Sequence, residues 1–395
     1  MDFMQFLMYN KRMCPNIDLK GRNIMKIKHI TKPLALIGAA ALLLSAAGCA
    51  DTSWSFKTSE KTLSNGAWIY YTNAALSDAV TELEKDGETK IDITKDDISS
   101  KKIDDKNAID WINDKAKDKA REYLTIEKLC NEYKLEPDKE SAKNLKKNYT
   151  SYFDAGYMDI YKELGISAET FTDCFGVYQE RYEQLFDYVY GKEGPKAVSD
   201  DELKKYFKDN YTSYYYIQYS LKTTDPDDSE KKIDVDDDTK DKVKLNFSKY
   251  AKELNEGKAI SDIEEEYKTD FEVESVPSTK NTEILKDSSI SEELQKEITA
   301  LEAKKATIKV IDDTEYLIYK GDLDAEAEEL IKEDSEESVS NSQATSHTVL
   351  HGMKSDEFKT YLEEQQKQLK AEENDACFSK YSVQRTIDIV KKNSN

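Results

Sequence analysis

One uncharged apolar run decides which part of this chain can be read for a fold at all. Leu34 to Gly48 reads LALIGAAALLLSAAG and is the only long apolar stretch in the 395 residues. At about fifteen residues it falls short of the roughly 20 that a membrane-spanning helix needs. Lys26, Lys28 and Lys32 stand just before it, and Ala46, Ala47 and Gly48 lead out of it into Cys49. A basic start, a short apolar core and a small-residue cleavage site make a secretory signal peptide. Residues 1–48 are therefore set aside, and the fold is built from the far more polar chain that follows. Met25 stands directly before the basic region, so residues 1–24 read as an over-long start.

The junction Leu44-Ser45-Ala46-Ala47-Gly48-Cys49 resembles the bacterial lipoprotein signal, whose lipobox ends in a small residue and then cysteine. It departs at Ala46, where that signal most often has Leu. The resemblance implies cleavage before Cys49, lipidation of Cys49, and attachment to the extracytoplasmic face of the cell membrane. Two acyl chains give stable anchoring where one is marginal. An ordinary signal peptide or an uncleaved anchor helix are the alternatives. Residues 49–65 are polar and read as a lipid-anchored tether.

The charge balance excludes one class of partner. The formal net charge is −22; residues 1–48 hold seven Lys/Arg and two Asp/Glu, so the remainder carries −27. Such a chain repels anionic lipid and nucleic acid. With no basic stripe for phosphates, no nucleic-acid partner is expected, and a membrane tie has to come from lipid. Hydrophobic residues make up 38% and charged residues 35%, yet Tyr, Ile and Leu are too frequent for disorder throughout. The length suggests two or three domains. Beyond Cys14 and Cys49 the cysteines are Cys130, Cys174 and Cys377, with no CxxC, so neither a disulfide framework nor a zinc site is indicated. Cys130 and Cys174 can pair if their helices are neighbours; otherwise all three read as small buried hydrophobes.

From residue 66 onward the pattern is first helical, then mixed. Ala67–Val80 opens the folded part, and residues 85–107 are charged and irregular. Ile109, Ile112, Ala116, Ala120, Tyr123, Ile126, Cys130 and Tyr133 recur at three- and four-residue spacing, the stripe of an amphipathic helix. Helices continue over Ser141–Leu164 and, after Gly165-Ile166-Ser167, over Ala168–Tyr190. Ser199 with Glu202 makes a capping box for the next helix. Tyr214–Leu221 alternates as a strand, with Tyr215, Ile217, Tyr219 and Leu221 on one face and Tyr214, Tyr216, Gln218 and Ser220 on the other. Asp225–Asp238 reads as a solvated acidic loop without the spacing of a calcium loop. Helices follow at Lys240–Asn255, Ile260–Tyr267 and Ser291–Leu301. Thr307–Ile311 and Glu315–Lys320 read as a strand pair. The acidic, Ser-rich stretch 326–346 reads as a linker, Ser355–Glu373 as a helix, and Cys377–Val390 as strand-like.

In order, these pieces resemble the parvulin-type foldase lipoproteins and the related SurA-type chaperones. The carrier is VSDDELKKYFKDNYTSYYYIQYSLK, Val198 to Lys222, which is similar to the helix of that family that leads directly into the first parvulin strand. Ala108–Lys139 and Gly165–Tyr190 resemble its helical chaperone domain. Ile290–Lys320 resembles the last helix and final hairpin of a parvulin domain, and Ser355–Tyr381 the terminal segment that returns to the helical domain. The resemblance implies an α+β fold: a helical bundle (66–198 with 347–395) and an inserted, divergent parvulin-like domain (199–325).

The family's chemistry is largely missing. Strand matched to strand, Gln218 takes the place of the first histidine, Leu317 that of the second, and Asp270 the acidic position; the glycine-rich segment is absent from 270–290. Leu317 can neither donate nor accept a hydrogen bond. Isomerising X–Pro means lowering a barrier of roughly 18–20 kcal/mol, and little such activity is expected. The implied role is a foldase-like chaperone for unfolded or newly exported polypeptides, without prolyl isomerase activity or a cofactor. An active peptidyl-prolyl isomerase and a surface adhesion or scaffold lipoprotein are the alternatives. Tyr214, Tyr216 and Gln218 are the candidate peptide contacts, because tyrosine couples an apolar ring to a polar tip. His347 and His351 have the i, i+4 spacing of a metal pair, but Gly352 and the Ser/Thr-rich surroundings disfavour a helix there, so no metal ligand is assigned.

Overall fold

The computed structural model describes residues 51–85, 90–330 and 346–393. The expected signal peptide, Cys49 and most of the expected acidic linker lie outside the described residues. The fold is mixed α+β and divides into two compact units. One comprises the chain up to Tyr188 and from Phe358 on; the other is Val189–Glu357. Among the described residues no helix is long and apolar enough to cross a membrane.

The first unit opens with strands β1 (Trp54–Lys57) and β2 (Thr62–Ser64), followed by helix α1 (Asn65–Lys85). A small hairpin, β3 (Lys102–Ile103) and β4 (Lys106–Asn107), leads into α2 (Ala108–Glu132). Then come α3 (Lys139–Asp154), α4 (Asp159–Leu164), α5 (Ala168–Phe171), a π-helical stretch (Thr172–Val177) and α6 (Tyr178–Tyr190). Gly165 ends α4 at φ +90°, a left-handed turn that glycine adopts without cost, and Ser167 then caps α5 through the Thr170 amide. The expected stripe on α2 is the buried one: Ile112, Ala116, Ala120, Tyr123, Ile126 and Cys130 face the core. The cysteines Cys130, Cys174 and Cys377 are free and buried. Burial pushes their thiols up, to about 11, 12 and 11 respectively.

Two expectations fail in this unit. Residues 54–64 are not a tether. Phe56 is fully buried and Leu63 nearly so, and β1 lies between β2 and β11 (Glu372–Glu373) in a three-stranded sheet. Polar composition misled here because only every second residue of such short strands needs to be apolar. Cys377–Val390 is not a strand either; it forms α13 (Asp375–Lys380) and α14 (Val383–Asn393). Val383, Thr386 and Ile387 are buried at helical spacing, the period of a helix and not of a strand. This closing segment is stitched to the start of the unit. Trp68 packs on Phe378 at 4.5 Å between ring centroids, the Trp68 indole donates to the Tyr381 carbonyl at 2.8 Å, and Asn374 donates to the Asp51 and Trp54 carbonyls.

The second unit is built on a four-stranded antiparallel sheet. Its elements are α7 (Asp200–Asn210), β5 (Thr212–Ser220), β6 (Lys222–Asp225), β7 (Asp228–Asp234), α8 (Asp237–Asn255), α9 (Ile260–Phe271), β8 (Ser278–Glu283), α10 (Glu292–Ala300), β9 (Ala306–Ile311), β10 (Thr314–Lys320) and α11 (Leu323–Leu330). The strand order is β8-β5-β10-β9. The capping box at Ser199 and Glu202 is present at the start of α7. The acidic stretch after β5 is a hairpin rather than a loop: β6 and β7 pair, and Lys231–Asp225 at 2.9 Å, with Lys222–Asp234, offsets its charge. The long helix α12 begins at Ser346 and runs to Gln366, nine residues before the expected start at Ser355, so His347 and His351 do lie on a helix. Val349 supplies the reason. It is fully buried in a cluster with Leu203, Phe207, Ala327 and Leu330, and this burial outweighs the weak helix propensity of Ser, Thr and Gly.

Candidate functional site

The central strand β5 separates two different environments. On one face Tyr215 and Ile217 join Leu317, Val243, Phe247, Tyr250, Ile263 and Tyr267 in a core under α8 and α9. On the other, Tyr214 packs with Leu294, Ile298, Ile311 and Ile318, with α10 as the covering helix. The alternation read from the sequence is thus the observed one, and it decides where each candidate residue falls.

Gln218, Asp270 and Leu317 do not form one cluster. The register pairs Gln218 with Tyr316 and Leu317 with Ile217. Because side chains alternate along a strand, a one-residue offset puts two positions on opposite faces. Leu317 is fully buried in the α8–α9 core. Asp270 lies on α9, where it accepts from the Tyr250 hydroxyl at 2.7 Å, with Lys249 at 3.9 Å. Gln218 is exposed on the α10 face, and its backbone amide donates to the Pro277 carbonyl at 3.0 Å.

The tyrosine candidates also part company. Tyr214 is 2% exposed. Its hydroxyl donates to Glu283 Oε1 at 2.6 Å, an oxygen that also accepts from Ser288. Burial, with the Glu283 bond behind it, pushes this phenol up to about 12. Tyr214 is therefore a core residue and not a free contact for peptide. Tyr216 is only half-buried; it stacks nearly parallel on Tyr214, with centroids 6.2 Å apart. The edge of the patch is made by Tyr316, whose ring meets Tyr216 at 5.6 Å and 72°. Sequence reading overlooked Tyr316. Its signal was its place opposite Gln218, which needs the strand register and not only the strand.

What remains accessible is a polar-aromatic patch: Tyr216, Tyr316 and Gln218, with half-buried Ile290 against the same core. It can stack, accept and donate, but it holds no histidine, carboxylate or thiol. Two surface clefts, of about 270 and 170 Å³, lie elsewhere. One is lined by Lys143, Lys146, Glu169 and Asp173, the other by Lys208, Ser213, Lys320 and Asp322.

No protein-family model and no curated protein matches the sequence. Among solved structures, a match is the crystal structure of foldase protein PrsA from Streptococcus pneumoniae, at 13% identity over 66% of this chain and 87% of that one, with a TM-score of 0.30.

Proposed function

We propose that this protein is a lipid-anchored, extracytoplasmic chaperone of the foldase type that holds unfolded or newly exported polypeptides and does not isomerise prolyl bonds. The observation that carries the reading is the α10 face of the second unit. There Tyr216, Tyr316 and Gln218 offer ring faces and amide hydrogen bonds, while Leu317 and Asp270 are engaged in or beside the opposite core. Aromatic rings with polar tips bind varied sequences with little loss of side-chain entropy. General acid–base work instead needs a group poised to exchange a proton, and the patch holds no histidine, carboxylate or thiol. The ordered resemblance of residues 66–390 to foldase lipoproteins and the lipobox ending in Cys49 support the same reading.

The purified protein is expected to suppress aggregation of a chemically unfolded client while leaving the rate of a prolyl-peptide isomerisation assay at background. Failure to hold any of several unfolded clients ends the chaperone reading. A rate above background that falls to background in Gln218→Ala would instead establish the isomerase. Labelling of the expressed protein with a radioactive fatty acid, lost in Cys49→Ser, tests the anchor.

A further inference from the structure

The two histidines of α12 are left unexplained by a peptide-holding role. His347 and His351 stand four residues apart, so they share one helix face. Their ring centroids are 4.5 Å apart and tilted by 53°, and the rings offer ligand nitrogens within 4.8 Å of one another. An ion held tetrahedrally at about 2.0–2.1 Å from two imidazoles needs those nitrogens about 3.4 Å apart. Rotation about the side-chain bonds is the freedom by which the two rings would take up that spacing.

The turn that carries the pair is fixed independently of any ligand. Val349, between the two histidines in sequence, is fully buried against Leu203, Phe207, Ala327 and Leu330. Just beyond the pair, the Tyr206 hydroxyl donates to the Gly352 carbonyl at 2.8 Å. The helix face bearing His347 (exposed) and His351 (half-buried) is thus held in place by its opposite face. A chelate whose backbone is already ordered loses less entropy on binding.

We propose that His347 and His351 chelate one late first-row divalent ion of the zinc, nickel or copper kind. Imidazole nitrogen suits these ions, whereas magnesium and calcium take oxygen ligands. The chain's net charge of −22 raises the local concentration of any cation. The stretch reads His347-Thr348-Val349-Leu350-His351, with threonine where the zinc-hydrolase helix motif carries its glutamate base. The ion is therefore bound and not used for hydrolysis, and it pins the first two turns of α12.

Isothermal titration of the purified, untagged chain with zinc chloride tests this, with magnesium chloride as the control. One zinc ion per chain is expected, with no magnesium heat, and affinity weakened at least about tenfold in both His347→Gln and His351→Gln. Zinc should also raise the melting temperature of the wild type and leave that of the double variant unchanged. Far-UV circular dichroism shows whether the variants keep their helix content without metal. Zinc binding of unchanged affinity in a folded double variant overturns the proposal, because the ligands then lie elsewhere. So does a wild type that binds no zinc.

Discussion

Tyr214 and Tyr216 are the same side chain, two positions apart on one face of one strand, and their consequences differ. Tyr214 sits under α10 with its hydroxyl on Glu283; Tyr216 is only half-buried. Tyr214→Ala is expected to cost about 3–5 kcal/mol, as for other buried aromatics, while Tyr216→Ala should cost less than half of that and weaken client holding. Urea unfolding alongside the aggregation assay separates the two effects. Glu315 shows the same principle with a charge. It is 5% exposed, and burial raises its carboxyl above the usual range, with Lys244 opposing only in part. A raised carboxyl means that the folded state binds the proton more tightly. Stability is therefore lost as pH climbs from the unfolded value of about 4.3 through the higher folded one. Glu315→Gln should accordingly be more stable than wild type at pH 7, with the advantage vanishing below about pH 4. Equal melting temperatures at pH 7 would remove the argument. The face of each tyrosine was legible from alternation alone. Which one is covered was not, because the cover, α10, comes from residues 292–300, some eighty positions later.

At the scale of elements, the legible pieces were those whose period is long and regular. The α2 stripe, β5 and the final hairpin stand close to where the pattern places them. The misread pieces are short or anchored by one residue. β1 and β2 hold four and three residues, too few for alternation to register. The start of α12 depends on Val349 reaching a pocket made by α7 and α11, which no local window contains. The strand β11 is a two-residue element whose meaning lies in Glu373. Burial alone would raise this carboxyl, but hydrogen bonds from Lys117 at 2.7 Å and Arg121 at 2.8 Å outweigh it and hold it below the usual range. The sign is opposite to that of Glu315: the contribution is complete above the unfolded value of about 4.3 and is lost as pH falls through the lower folded one. Glu373→Gln should cost about 1–2 kcal/mol at pH 7, a value discounted for partial exposure. The gap to wild type should narrow in acid. A gap independent of pH would mean that packing, not charge, holds β11.

For the molecule as a whole, the units make separate claims to stability. Each has its own apolar clusters. Within the first unit the chain leaves and returns at neighbouring points, since Phe186 and Phe358 pack ring against ring at 5.3 Å. Joining residue 188 to residue 358 by a short flexible linker should give a protein that melts cooperatively, with Trp68 shielded from fluorescence quenchers. Residues 189–357 expressed alone should retain the sheet by circular dichroism. A non-cooperative melt of either piece would mean that the units depend on one another for folding. The candidate site is less legible than the fold for a related reason: the patch at Tyr216 and Tyr316 exists only once β5 and β10 are in register.

The pairing of β1 with β11 also sets a timetable. Phe56 meets Glu373 across the sheet, so more than three hundred residues must emerge from the ribosome before that ladder can close. At roughly 5–20 residues per second, the opening strand waits many seconds for its partner. The second unit is continuous in sequence and can finish first. For that interval the protein is itself an unfinished chain in which Phe56 and Trp68 still lack Phe378, the very kind of object it is proposed to shelter.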